Sequence, residues 1–392
     1  MHSTWLLTSL SLLLTPLVAA TPSSQPAHAV SQVYDTTDRI PLPNIGHIAA
    51  HDPNIILWDN WYYLFQGGVG ILIHRAQNLS GPWEDVGTVL SGPSVIHTQN
   101  RTRPWAPTTI HTNGTFYCYY TLSEHGSRNS AIGVATTTSL TGKSQDWTDH
   151  GAIIHTGNGN GSDIYPFNVS NAIDASFITD NSTGQSYLNY GSFWTDIWQV
   201  PLSDDLLSLK DPTNPDAVHL TYLPEQKQRP EEGSWMSFRD GYYYAWFSHG
   251  KCCRFQKFPG RGKEYEIRVG RSTNVRGPFE DKDGVQLLDG GGTVIYASNH
   301  GVVYAPGGLG VLPGNDSTAT PDILYYHYLN TTIGFTDEDA RLGWNYLKYE
   351  DGWPVVIEGN DIGNATTSNA GSVISAPGGF ALTMAMSLWL YI

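Results

Sequence analysis

The sequence predicts an all-β fold in which four-stranded sheets repeat radially about a channel, a β-propeller, and three observations carry that expectation. Between Asp52 and Trp353 the chain is rich in Tyr, Trp, Val, Ile, Thr and Gly, with short apolar runs and closely spaced turn dipeptides in place of long amphipathic helices. One segment, a strand, a turn and an aromatic strand, recurs along it. Its copies start about sixty residues apart, enough for four strands with generous loops.

The first copy runs Asp52-Pro53-Asn54-Ile55-Ile56-Leu57-Trp58, turns at Asp59-Asn60 and returns as Tyr62-Tyr63-Leu64-Phe65. The second starts at Ala106, turns at Asn113-Gly114 and returns at Phe116-Tyr117, so it has no acid at its head. The third starts at Asp174 and, after a longer turn over 180–184, returns as Tyr187-Leu188-Asn189-Tyr190. The fourth reads Glu232-Gly233-Ser234-Trp235, turns at Asp240-Gly241 and returns as Tyr242-Tyr243-Tyr244. Counting ten and eleven residues from Glu232 lands on Tyr242 and Tyr243, as the same count from Asp52 lands on Tyr62 and Tyr63, which selects Glu232 over Glu231. The fifth is placed at His300, with Val302-Val303-Tyr304 and a return at Leu324-Tyr325-Tyr326. In a propeller the innermost strand of each blade lines the channel, so Asp52, Asp174, Glu232 and His300 are expected at one mouth. A lone acid at a strand start is ordinary; three in one register of a repeat point to a site.

With 392 residues, 40% of them hydrophobic, the chain can bury a large core. The formal net charge of -15 argues against nucleic acid and anionic lipid as partners, and against polyanionic substrates such as polygalacturonate. A neutral polysaccharide meets no such objection. Residues 1–20 read as a secretory signal, an apolar run from Trp5 to Leu14 followed by the small-x-small site Val18-Ala19-Ala20, although no basic residue precedes the run. Residues 21–42 form an N-terminal segment and 43–358 the propeller. A polar linker over 359–371 precedes a tail over 372–392 whose order of small residues, spacer and apolar run is that of a GPI signal, with Asn369 as attachment residue. The run from Phe380 to Ile392 is shorter than the ~20 residues of a membrane span; a terminal strand or helix of the fold is the alternative. These features predict a protein held on the extracellular face of the membrane or in the wall. Sequons for glycosylation stand at Asn78, Asn100, Asn113, Asn160, Asn168, Asn181, Asn315, Asn330 and Asn364. Three cysteines, Cys118, Cys252 and Cys253, cannot all pair with each other. Either Cys118 bridges to one of the vicinal pair or the thiols are buried in strands; no nucleophilic role is suggested.

Two carboxyl groups with separated pKa values can hydrolyse a glycosidic bond, one protonating the leaving oxygen and the other activating water; a third acid nearby would keep the first protonated by like-charge repulsion. The residues also carry a resemblance. His51-Asp52-Pro53, Arg103-Pro104-Trp105-Ala106-Pro107, Asn171-Ala172-Ile173-Asp174, Gly191-Ser192-Phe193-Trp194, Glu232-Gly233, His249-Gly250-Lys251-Cys252-Cys253 and Asp351-Gly352-Trp353-Pro354, in that order, resemble glycoside hydrolase family 43 and specifically its endo-1,5-α-L-arabinanases, over about residues 43 to 356. The resemblance implies a five-bladed β-propeller as a single catalytic domain, acting as a monomer on arabinan with inversion and without an organic cofactor. It assigns Asp52 as general base, Glu232 as general acid, and Asp174 as the residue that tunes Glu232 and orients substrate. It places Trp105, Gly126, Asn171, Ala172, Ile173, Ser192, Phe193 and Trp194, with Asp52 and Asp174, along the sugar subsites. It also implies a Ca2+ or other cation on the propeller axis near His300, although the run Ala297-Ser298-Asn299-His300-Gly301 departs from the Gly-Pro-Gly-His pattern of the family. A channel-lining histidine without metal is the alternative there.

Three other readings compete. An exo-acting β-xylosidase or α-L-arabinofuranosidase of the same family often carries an extra β-sandwich, for which this chain has no room. A fructan-cutting propeller needs Asn-Asp-Pro-Asn-Gly and Arg-Asp-Pro runs that are not found. A non-catalytic carbohydrate-binding propeller does not explain the retention of all three carboxylates.

Overall fold

Aromatic and β-branched runs separated by Asp, Asn and Gly form hairpins because those turn residues tolerate left-handed backbone. Asp59-Asn60 (φ 50° and 62°), Asn113-Gly114 (50° and 76°) and Asp240-Gly241 (51° and 85°) have positive φ at both positions, as type I′ turns require. A computed structural model describes residues 40–357 apart from 43, 47, 98–101, 141–145, 225, 227 and 316–319. The signal, the linker and tail with Asn369, and the sequons Asn100 and Asn364 lie outside the described residues.

The hairpins build five four-stranded antiparallel sheets in chain order. Blade 1 holds β1 (Asn54–Trp58), β2 (Trp61–Gln66), β3 (Leu72–Ala76) and β4 (Glu84–Thr88); blade 2 holds β5 (Trp105–Thr112), β6 (Thr115–Leu122), β7 (Ser130–Thr137) and β8 (Thr148–Thr156). Blade 3 holds β9 (Ser176–Thr179), β10 (Ser186–Gly191), β11 (Ile197–Pro201) and β12 (Val218–His219). Blade 4 holds β13 (Glu231–Arg239), β14 (Tyr242–His249), β15 (Glu266–Ser272) and β16 (Thr293–Tyr296), and blade 5 holds β17 (Val303–Leu312), β18 (Ile323–Asn330), β19 (Ala340–Glu350) and β20 (Trp353–Ile357). The innermost strands meet in a closed ring, β1 against β5 and β17, β5 against β9, β9 against β13, β13 against β17. The expected five-bladed propeller is the observed fold.

The core is divided among the five interfaces between blades. Phe65 and Ile73 pack against Phe116 and Tyr120 between blades 1 and 2, and Tyr119 and Ile132 against Leu188 and Tyr190 between blades 2 and 3. Tyr187 and Ile197 meet Tyr243 and Phe247 between blades 3 and 4, and Trp246 and Val269 meet Val311 and Tyr326 between blades 4 and 5. Blade 5 closes on blade 1 through Ile55 and Leu64 against Tyr325 and Leu342. The segment ahead of β1 lies along β19, with Leu42 N donating to Trp344 O and Ala50 N to Ala340 O at 2.9 and 3.1 Å.

The sheet pairings correct the register read from the sequence. Asn54 faces Phe65, Thr108 faces Tyr119, Ser176 faces Asn189, Trp235 faces Trp246 and Gly310 faces Tyr325. Two residues ahead of each stand Asp52, Ala106, Asp174, Gly233 and Gly308, all in left-handed backbone (φ 46°, 39°, 56°, 59° and 54°), where each inner strand turns off the axis. The fourth head is therefore Gly233, not Glu232, which enters from one residue earlier across a register shift between Glu232 and Trp235. The fifth is Gly308, not His300: β17 is broken by register shifts at 304/307 and 307/310, which defeats counting along the chain.

The cysteine expectation holds for Cys118 and is corrected for the other two. Cys252 is bonded to Cys253, and Cys118, two blades away on β6, is a buried free thiol. Of the described sequons, Asn78, Asn113, Asn160, Asn168, Asn181 and Asn315 are exposed. Asn330 is not: it is 6% exposed, and its Oδ1 accepts hydrogen bonds from Thr332 N and Oγ1, so its side chain is spent on holding a turn.

Candidate active site

The five heads enclose a water-sized axial cavity of about 30 Å3, above which opens a cleft of about 1270 Å3. Asp52, Asp174 and Glu232 all line that cleft. The left-handed turn at each head aims the side chain up the axis instead of into a blade interface, which is why the same position in blades 1 and 3 supplies two of the acids.

Asp52 is gripped by two histidines. His51 Nδ1 lies 3.1 Å from Oδ2, and His327 Nδ1 lies 3.2 Å from Oδ1 and 3.1 Å from the backbone N of Asp52. The two imidazoles stack with centroids 4.2 Å apart. Burial alone would raise the Asp52 pKa; the charge of His51, its hydrogen bond and the close approach of His327 outweigh it and hold the carboxyl far below the usual range. Burial opposes the charge on His51, but Asp52 overcomes this and raises its pKa, whereas burial and then the His51 charge lower that of His327. Asp52 thus favours the charged form of His51, and His51 the ionised form of Asp52.

The other two acids are biased the opposite way. Glu232, 8% exposed, accepts from Ser192 Oγ at 2.6 Å and from the Tyr265 hydroxyl at 3.1 Å. Burial and then the Asp52 charge raise its pKa against those two bonds. Asp174, whose Oδ2 accepts from Gly233 N at 3.1 Å, is raised by burial and then by the charges of Glu232 and Asp52. The cleft therefore holds one carboxylate kept ionised and two carboxyls that favour the proton, the asymmetry that acid-base hydrolysis of a glycosidic bond requires.

Of the residues expected along the sugar subsites, Trp105, Gly126, Asn171, Ile173, Ser192, Phe193 and Trp194 line the cleft. Ala172 does not: it is fully buried in the interface between blades 2 and 3, at the centre of a tight turn in which Ile173 N donates to Asn171 O at 3.0 Å. Trp194 is 36% exposed and free to present a ring face.

His300 stands away from this cleft, with Nε2 3.1 Å from Glu264 Oε1. The residues around it do not fit calcium. Glu264 Oε2 already accepts from Gly262 N and Lys263 N, and Asn299 Oδ1 from Gly301 N and Val303 N, leaving no cage of oxygens for a hard cation among the described residues. Among the described residues, His51, Asp52 and His327 bring ligand atoms within 4.8 Å of one another. That set of two imidazoles and one carboxylate is also poor for calcium, so no step below passes through a metal. Sequence reasoning missed His327 and the supporting role of Tyr265. His327 comes from β18, and its ring occupies the space that a side chain at the fifth head would need: a Cβ at Gly308 would overlap Asp52 Oδ1 and stand 2.6 Å from His327 Nδ1. The histidine expected on the axis is there, supplied by the neighbouring strand.

Comparison with known proteins identifies the family. The family model for glycosyl hydrolases family 43 matches residues 44–354. The chain is 55% identical over 371 residues to the probable arabinan endo-1,5-alpha-L-arabinosidase D of Emericella nidulans, covering 94% of each. It is 47% identical over 343 residues to arabinan endo-1,5-alpha-L-arabinosidase B of the same organism, covering 79% of this chain and 84% of that one. The structure of Cellvibrio cellulosa alpha-L-arabinanase complexed with arabinohexaose aligns with a TM-score of 0.69 at 25% identity, covering 79% of this chain and 96% of the other. With the family match spanning most of its length, the chain belongs to glycosyl hydrolases family 43.

Proposed function

We propose that this propeller hydrolyses the (1→5)-α-arabinofuranosidic linkages of arabinan from within the chain, with inversion, as a monomer. The opposite bias of Asp52 and Glu232 across one cleft carries the reading, and the two endo-acting fungal relatives support the substrate and the cleavage mode. Asp52 takes a proton from water as the water attacks the anomeric carbon. Glu232 gives its proton to the departing glycosidic oxygen, loss of that proton being opposed by burial and by the Asp52 charge, while Asp174 fixes Gly233 by accepting from its N–H. Product analysis on linear debranched arabinan tests the reading: oligosaccharides of mixed length at early times are expected, with arabinoxylan left uncut. Release of arabinose alone from the outset would replace it with an exo-acting one.

The pH profile gives a second test. The hydrogen bond from Ser192 lowers the Glu232 pKa, and an acid works only while protonated. Ser192→Ala is therefore expected to raise that pKa and move the alkaline limb of kcat/KM to higher pH. A shift toward lower pH, or an unmoved limb, would remove Glu232 from the role of acid.

The same reading places the enzyme on the secretory route, glycosylated and held at the cell surface by a GPI anchor at Asn369. The apolar run Trp5 to Leu14 and the tail Phe380 to Ile392 support this. Finding the 380–392 peptide in the mature cell-surface protein would sink the anchor.

A further inference from the structure

The loop that follows β14 carries the Cys252–Cys253 disulfide, and both cysteines line the cleft. Two contacts tie it to the catalytic carboxyls. Cys253 Sγ lies 3.8 Å from Nε2 of His51, the ring nitrogen opposite the one that faces Asp52. The two ring nitrogens of His51 thus have separate partners: the carboxylate faces Nδ1, and the disulfide sulfur, which has lone pairs but no proton to give, faces Nε2. Cys252 packs against the apolar cluster that contains Tyr265, whose hydroxyl donates to Glu232. The backbone repeats this link: Lys251 N donates to Lys263 O, and Tyr265 N to Lys251 O, both at 2.9 Å. The loop is pinned on its far side by Lys251 Nζ, which donates to Arg254 O and Lys257 O at 2.9 and 2.7 Å.

We propose that the Cys252–Cys253 disulfide is a positioning element of the active site: its Cys253 sulfur seats His51, and His51 in turn holds Asp52 in the orientation that activates water. A bond between adjacent cysteines closes a small ring that removes rotational freedom from this stretch of backbone. The sulfur therefore meets His51 at a fixed place instead of sampling thiol rotamers. With two separate thiols, Cys253 gains a proton it can donate and a charge it can carry, and either would compete with Asp52 for His51. The inference rests on Asp52 being the general base, an assignment that Asp52→Asn tests on its own.

The experiment is a double-mutant cycle on the full-length enzyme, comparing Cys252→Ala/Cys253→Ala, His51→Gln and their combination on debranched arabinan. Misplacement of a reacting group by a fraction of an ångström to an ångström lowers turnover by up to ~10²-fold. The double-alanine enzyme is therefore expected to lose about tenfold or more in kcat with KM little changed, and to lose far less when His51 is already Gln. Additive losses, or an unchanged kcat, would overturn the proposal. Where the alanine variant fails to fold, a phosphine reductant applied to the wild-type enzyme opens the same bond, the phosphine being oxidised as the two thiols form. A kcat that holds steady, under complete reduction and with the circular dichroism unchanged, overturns it equally; the expected result is the same fall in kcat, absent in His51→Gln.

Discussion

Glu232→Gln is expected to lower kcat on arabinan by roughly 10²–10⁴-fold while leaving KM nearly unchanged, because the substitution removes a transferable proton and little else. Gln keeps the volume of the side chain. Its carbonyl can accept from Tyr265, and the Ser192 hydroxyl can rotate to accept from its amide, so both supports of Glu232 retain a partner. The loss should depend on the leaving group. An aryl arabino-oligosaccharide whose phenol departs without protonation is expected to be cleaved at close to the wild-type rate, since the missing acid has no work to do there. If the activated substrate slows as much as arabinan, Glu232 supports the fold or the base and is not the acid.

The sequence reveals the propeller because every blade repeats the same local chemistry, and hairpins such as Asp59-Asn60 and Asp240-Gly241 announce themselves in two residues. Asp52 and Asp174 follow from the repeat, since each is the turning residue of its blade. Glu232 is the right residue found by a count that slips by one: the turning residue is Gly233, and a register shift in β13 lets the residue before it reach the cleft. Such a shift alters pairing without altering composition, so nothing in the sequence announces it. His300 fails for a related reason, as the irregular β17 uncouples chain distance from position on the axis. The imidazole that blade 5 brings to Asp52 is His327, twenty-seven residues later by number. It becomes visible only when Gly308 is seen to leave the space that the ring fills. The vicinal disulfide and the burial of Ala172 and Asn330 are likewise products of packing, which local pattern does not encode.

Asp52→Asn is expected to lower kcat by a similar 10²–10⁴-fold but with the opposite dependence on the leaving group. Activated aryl substrates should be cut as poorly as arabinan, because the missing function is activation of water and not protonation of the departing oxygen. The substitution also disturbs its neighbours. Asp52 raises the pKa of His51, so its loss lets burial lower that pKa and removes the partner that oriented the ring. A small anionic nucleophile needs no base, and azide is expected to restore turnover of an activated substrate in Asp52→Asn. Direct attack on the face opposite the leaving group then forms the β-arabinofuranosyl azide from the α-linked substrate, a product whose anomeric configuration is read by NMR. An α-azide would require two displacements and a covalent intermediate, which would make one of the cleft carboxylates a nucleophile. A β-azide therefore excludes Asp174 and Glu232 as nucleophile, and the anomer first released by the wild-type enzyme, β for direct attack by water and α for a covalent intermediate on Asp52, separates water activation from covalent catalysis without measuring the distance between the carboxyl groups.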